Sequence, residues 1–193
     1  MRAIVLQSLA VLGLAQRVWK HTVEPMSLEI EPEVILVAED NDDHVVLLLR
    51  GFRKAALVNP VVVVKNGVEV LEYLRGDGKF SNRAEYPLPT LLLLDLRMPM
   101  MDGFEVLYWI RQHPTLRTLR IVMLTTSEDL RDINKAYQLG ANAFLVKPTD
   151  LEHFMKLTDA IRGHWLWLSK APTIERCAER DGTQAEAASG PTA

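Results

Sequence analysis

Residues with charged or reactive side chains stand where apolar runs of the chain end, and their chemical types complement one another. They are Glu39, Asp40, Asp95, Thr125 and Lys147. Carboxylates brought together repel one another unless a cation lies among them, and their oxygens are the ligands that Mg²⁺ prefers. A threonine hydroxyl and a lysine ammonium can bind phosphoryl oxygens, while a carboxylate can act as a covalent nucleophile. If the fold brings these residues together, they form a site for a phosphoryl group beside a divalent cation.

Taken singly, each of these residues has a simpler interpretation. An acidic residue at the end of a strand usually caps the following helix. A lone lysine is most often a solvated surface charge. The hypothesis of a site therefore depends on their joint placement, because the carboxyl ends of neighbouring parallel strands border one crevice.

Short apolar runs that alternate with helical patterns predict the elements that position the site. The predicted strands are Val34–Ala38, Pro60–Val64, Leu91–Leu94, Ile121–Leu124 and Ala143–Val146. Continuously apolar strands are typical of a sheet that is buried on both faces. The predicted helices are His44–Leu57, Val68–Arg75, Phe104–Gln112, Glu128–Leu139 (capped by Ser127) and Asp150–Leu168. This alternation predicts an α/β fold, in which a five-stranded parallel sheet is covered on both faces by five helices.

The predicted domain covers residues 32–170, flanked by an N-terminal extension (1–31) and a C-terminal tail (171–193) of disordered composition. The apolar stretch in residues 2–20 loosely resembles a signal peptide but is too short to span a membrane. Two further interpretations stay open for it, an amphipathic helix or an artefact of start-site choice. The second is favoured by Met26, which stands just before the first strand.

Composition narrows the class of protein. The formal net charge of −3 gives no support for binding to nucleic acid or to a membrane surface. The single cysteine, Cys177, cannot form an internal disulfide, and we expect a cytoplasmic protein. Large apolar residues end the last predicted helix, namely Trp165, Trp167 and Leu168. If they are exposed, they favour a partner surface and a homodimer; otherwise they belong to the core.

Four motifs carry a resemblance to a known family. They are ILVAEDN (35–41), LLLLDLRMPMMDGFEVL (91–107), IVMLTTS (121–127) and GANAFLVKP (140–148). With them, residues 34–168 resemble the receiver domain of two-component response regulators. The resemblance implies a flavodoxin-like doubly wound sheet with strand order 2-1-3-4-5. The long connection before the third strand and the WLWL sequence at 165–168 are similar to the single-domain subgroup that partners phytochrome-type histidine kinases.

The resemblance also implies roles for the acidic residues. Asp95 is expected to be the phosphoacceptor. Asp40 matches the residue that binds Mg²⁺ directly, and Glu39 matches its neighbour, which acts largely through water. Arg97 stands where the family offers a backbone carbonyl to the metal.

Further roles follow from the same resemblance. Thr125 matches the hydroxyl that moves toward the phosphoryl group, and Lys147 matches the cation that contacts it. Pro148 stands where the family has a cis peptide bond. Phe144 occupies the position of an aromatic rotamer switch, although a simple core aromatic is an equally good interpretation.

The function implied by the resemblance is the acceptance of a phosphoryl group from a sensor histidine kinase, followed by a change of surface. Such a protein is not an enzyme in the ordinary sense, despite its intrinsic phosphorylation and dephosphorylation chemistry. Two alternatives are a phosphorylation-independent interaction module and a flavin-binding or hydrolytic enzyme on the same fold. The sequence contains no Walker motif and no G-x-S-x-G motif, which argues against the enzyme.

Overall fold

The computed structural model describes residues 33–168, and of residues 166–168 it describes the backbone alone. The predictions made for residues 1–31, for 171–193 and for Cys177 lie outside this range. Among the residues described, no helix combines the length and the apolar character that crossing a membrane requires.

The strands form one parallel sheet at the predicted places. They are β1 (Ile35–Ala38), β2 (Val61–Val64), β3 (Leu91–Leu94), β4 (Arg120–Thr125) and β5 (Ala143–Val146). Their order in the sheet is β2-β1-β3-β4-β5, and all four pairings are parallel. The predicted flavodoxin-like order is therefore confirmed. Since the order reverses between β1 and β3, a crevice opens at their carboxyl ends.

The helices lie between the strands with slightly different bounds from those predicted. They are α1 (Asp42–Lys54), α2 (Gly67–Arg75), α3 (Gly103–Gln112), α4 (Leu130–Gln138) and α5 (Leu151–Ile161). The first begins earlier because Asn41 caps it, accepting hydrogen bonds from the amides of Asp43 and His44. It ends earlier because Ala56 adopts a positive φ of 52°.

Two predictions about helix ends were wrong. The cap of α4 is Asp129, whose side chain accepts a hydrogen bond from the amide of Arg131, and not Ser127. The hydroxyl of Ser127 points instead to Asp132, an acceptor within the helix. The last α-helix ends at Ile161 and continues as a π-helix over Arg162–Leu168.

The core has two layers because alternate residues of each strand face opposite sides of the sheet. Leu36 and Ala38 pack with side chains of α2 and α3 on one face. On the other face, Ile35 and Val37 pack with side chains of α1 and α5. Trp165 is half-buried against this second layer, whereas the side chains of Trp167 and Leu168 lie outside the described part.

The amino end of the sheet holds the end of the last helix. Arg120, a buried residue that begins β4, donates from Nε to the carbonyl of Thr90 at 3.2 Å. Its Nη1 donates to the carbonyl of Trp165 at 2.6 Å. The chain after α5 is thereby fixed to the edge opposite to the crevice.

Close approach of α1 and α5 requires a glycine. A Cβ atom on Gly51 would lie 2.5 Å from Cγ2 and 2.6 Å from Oγ1 of Thr158, which is fully buried. Rotating the side chain of Thr158 would not remove the clash, because the Cβ atom of Thr158 would itself lie only 3.0 Å from the added Cβ.

We expect Gly51→Ala to lower the free energy of unfolding by about 1–2 kcal/mol, because overpacking outweighs the gain in helix propensity. Urea denaturation followed by circular dichroism measures the change. Gly163→Ala is the control, since a Cβ there meets nothing within 4 Å. An equal or higher stability of the Gly51 variant would contradict the packing argument.

The long connection between α2 and β3 is held by Tyr73 and Arg83. The buried hydroxyl of Tyr73 donates to the carbonyl of Pro87 at 2.8 Å, and its ring meets Phe80 edge-on. The guanidinium of Arg83 donates to the carbonyls of Tyr73 and Leu74, which end α2. Burial raises the pKa of Tyr73 to about 12, and the nearby charge of Arg83 opposes this rise.

A raised pKa in the folded state makes stability depend on pH. The contribution of the neutral Tyr73 to the free energy of unfolding is complete below the ordinary pKa of 10.0 and is lost as pH rises toward about 12. We expect the free energy of unfolding to fall over this range, and to fall less steeply in Tyr73→Phe. Urea denaturation at pH 8 to 12 compares the two proteins; identical slopes would show that Tyr73 does not titrate in this way.

Candidate functional site

Three carboxylates meet at the crevice. Glu39 and Asp40 follow β1, Asp95 follows β3, and one oxygen from each lies within 4.8 Å of the others. Glu39 and Asp95 are buried, whereas Asp40 is exposed. The fold therefore brings these three residues together, as predicted.

The ammonium of Lys147 lies between the two buried carboxylates. Its Nζ is 2.5 Å from Oε2 of Glu39 and 3.1 Å from Oδ2 of Asp95. Buried charges are tolerated only when they are paired, and this bridge pairs both acids with one cation. Three carboxylates against one ammonium still leave an excess of negative charge, which a divalent cation with a preference for oxygen ligands would balance.

The loop between β3 and α3 fixes the position of Asp95. The Oδ1 atom of Asp95 accepts a hydrogen bond from the amide of Leu96 at 2.7 Å. A side chain at Gly103 would collide with the carbonyl of Asp95. The amide of Gly103 donates to the carbonyl of Leu96, so the start of α3 packs directly under the acid. Asp102 caps this helix with Glu105 in a reciprocal capping box.

Thr125 lies at the end of β4 and is completely buried. Its carbonyl accepts from the amide of Lys147 at 2.7 Å, so the threonine adjoins the loop that presents the ammonium. Its Oγ1 accepts from the amide of Ser127 at 3.3 Å. The hydroxyl thus connects the crevice to the loop that leads into α4.

The sequence analysis missed His44, which contacts the site. Its Nδ1 lies 3.0 Å from Oε1 of Glu39 and 3.5 Å from Nζ of Lys147. The amide of Asn41 also approaches Oε1 of Glu39, at 3.3 Å. The sequence signalled only the start of a helix at His44, because the contact depends on how α1 leaves β1.

Other predicted site residues have different outcomes. The cis bond predicted before Pro148 is wrong, since no peptide bond in the described part of the chain is cis. Trans is the intrinsically favoured isomer even before proline, by about 0.5–1 kcal/mol. The side chain of Arg97 donates to Asp132 at 3.2 Å, and the role of its carbonyl stays a prediction. Phe144 is half-buried against the core on the α2 side, and its role as a switch also stays a prediction.

Removing the bridging ammonium should destabilise the fold, because it leaves two buried carboxylates unpaired. We expect Lys147→Ala to lower the free energy of unfolding by about 3 kcal/mol, and added MgCl₂ to recover part of this loss. Urea denaturation with and without MgCl₂ measures both effects. Lys65→Ala breaks the exposed Lys65–Asp42 pair and should cost less than about 1 kcal/mol. An equally small loss in Lys147→Ala would contradict the proposed pairing.

Comparisons with known proteins point to one family. The family profile described as "Response regulator receiver domain" matches residues 35–159. The response regulator Rcp1 of Synechocystis sp. is 33% identical over 135 residues, which are 70% of this chain and 90% of that relative.

Solved structures give the same result. The phosphorylated cyanobacterial phytochrome response regulator RcpA superimposes with a TM-score of 0.69 at 32% identity, over 74% of this chain and 99% of that one. The Mn²⁺-bound form of Rcp1 superimposes with a TM-score of 0.68 at 32% identity, over 74% of this chain and 100% of that one. The acidic cluster and this neighbour together favour a divalent metal at the crevice.

Proposed function

Since the chain belongs to the response regulator receiver domain family, we propose that it accepts a phosphoryl group on Asp95 and signals through the resulting change of surface. One observation carries the proposal: the buried ammonium of Lys147 bridges Asp95 and Glu39 beside an acidic cluster. A purely structural role would not require charged groups to be gathered and buried at this edge.

The transfer uses groups that the fold already holds in place. A carboxylate oxygen of Asp95 attacks the phosphorus of a phosphohistidine. A P–O bond forms as the P–N bond breaks, and the leaving imidazole keeps the electron pair. Lys147 then turns from the carboxylate to the phosphoryl oxygens, and the hydroxyl of Thr125 supplies a hydrogen bond.

Glu39, Asp40 and Asp95 are the residues that would hold a divalent ion, for which we propose Mg²⁺, with the carbonyl of Arg97 as a further ligand. When bound, the ion would offset the negative charge of the carboxylates and of the phosphoryl group. The fit rests on the donor set, which consists of hard oxygens with an uncompensated negative charge.

We propose a sensor histidine kinase, of the phytochrome type, as the phosphoryl donor, because RcpA is described as a phytochrome response regulator. The proposed setting is the cytoplasm. The surface that reports phosphorylation is formed by α4, β5 and α5. Tyr137 and Leu151 expose about half of their area there, which suits a partner or a second copy of the chain.

The protein acts as a substrate of its kinase and not as an enzyme that turns over external substrates. The alternative is an interaction module that works without phosphate. The site contains the carboxylates and the buried ammonium that phosphoryl transfer requires, and an interaction module would not need them. The two functions differ in whether the purified protein takes up phosphate.

We expect Asp95→Asn to take up no label from ³²P-acetyl phosphate in the presence of MgCl₂, because an amide oxygen cannot replace the carboxylate nucleophile. Autoradiography of the acid-precipitated protein measures the label. Asp77→Asn is the matched control, since Asp77 is exposed in the connection between α2 and β3 and should label as the parent does. Undiminished labelling of Asp95→Asn would rule out this acceptor, and an unlabelled parent protein would favour the interaction module.

A further inference from the structure

One carboxylate, that of Asp132, joins three segments around the mouth of the crevice. Its Oδ2 accepts from Nη2 of Arg97, in the loop after β3, at 3.2 Å. The same oxygen accepts from Oγ of Ser127, in the loop after β4, at 2.7 Å. Asp132 itself lies in the first turn of α4. We call this set, Arg97, Ser127 and Asp132, the Asp132 bridge.

The two ends of the bridge differ in their freedom to move. The side chain of Asp132 is 16% exposed, whereas that of Arg97 is 70% exposed and reaches the carboxylate through a single contact. An ion pair with one well-exposed partner contributes little stability, and a stronger anion can displace Asp132 from Arg97.

Arg97 follows the proposed acceptor by two positions. Two residues of backbone span at most about 7 Å, so the guanidinium stays close to Asp95 on a long, flexible stem. A phosphoryl group brings a charge of about −1.5 to −2 and several acceptor oxygens. Guanidinium groups bind such oxygens in pairs, more strongly than a single carboxylate oxygen.

Resting on the phosphoryl-acceptor function proposed above, we infer that Asp132 and the phosphoryl group on Asp95 compete for the side chain of Arg97. In the unmodified protein, Arg97 is bound to Asp132. After phosphorylation it turns to the phosphoryl oxygens, and Asp132 loses one of its two partners.

The loss reaches the signalling surface through contacts already present. Ser127 is bonded to Asp132 by its hydroxyl and to Oγ1 of Thr125 by its amide. When Thr125 also turns toward the phosphoryl group, both ties between the crevice and the first turn of α4 change together. Arg97 thus becomes a further phosphoryl-binding residue, and Asp132 sets how readily it is released.

Competition makes a specific prediction for the binding of beryllofluoride, a mimic of the phosphoryl group, in the presence of MgCl₂. We expect Asp132→Asn to bind it about two- to five-fold more tightly, because Arg97 is no longer held elsewhere. Arg97→Ala should bind it more weakly. In the double variant, the change at Asp132 should have no further effect. Isothermal titration calorimetry measures the four affinities.

Glu128→Gln is the matched control, because it removes one exposed negative charge from the same loop. We expect it to bind beryllofluoride as the parent does. If Asp132→Asn tightened the binding of beryllofluoride equally in the parent and in Arg97→Ala, the effect would be one of general charge, and the inference would be overturned. An unchanged affinity in Asp132→Asn would overturn it as well and leave the proposed function intact. A parent protein that does not bind beryllofluoride would overturn both.

Discussion

The burial of a lysine ammonium between two carboxylates is the interaction on which the site depends. Glu39 and Asp95 follow separate strands, and each would be costly to bury alone. Lys147, more than 50 residues further along the chain than either, makes their burial tolerable. The arrangement holds three strand ends together and leaves a local excess of negative charge. The same groups that stabilise the resting crevice are therefore the groups that a phosphoryl group and a cation would rearrange.

The rest of the fold provides the rigidity that this arrangement requires. The central strands are buried on both faces, so the strand ends cannot shift without disturbing two packed layers. Gly103 lets the start of α3 lie directly against the backbone of Asp95, and Gly51 lets α1 and α5 approach closely. Small residues at these two places allow the close packing, and at Gly103 this packing lies directly against the backbone of a charged site residue.

The sequence allowed the parallel sheet and the meeting of the charged residues to be predicted, because continuous apolar runs and their terminal residues are local signals. The order of the strands was predicted from the family resemblance. Helix ends were less predictable, since Ser127 and Asp129 are both good caps and the choice depends on how the loop enters α4, where the hydroxyl of Ser127 bonds to Asp132. The same reason explains why His44 was missed, because its contact with Glu39 depends on the exit angle of α1. The cis bond before Pro148 was expected from family resemblance alone, and no local signal could test it.

The attachment of the last helix at one end has a mechanical meaning. Arg120 fastens the chain at Trp165 to the amino edge of the sheet, whereas α5 begins beside the loop that carries Lys147. Because the chain is fastened at Trp165, the helix cannot slide along its own axis, and a displacement of its first turn tilts it. Small movements of Lys147 would therefore tilt α5, with the largest displacement near Leu151 and the smallest near Trp165.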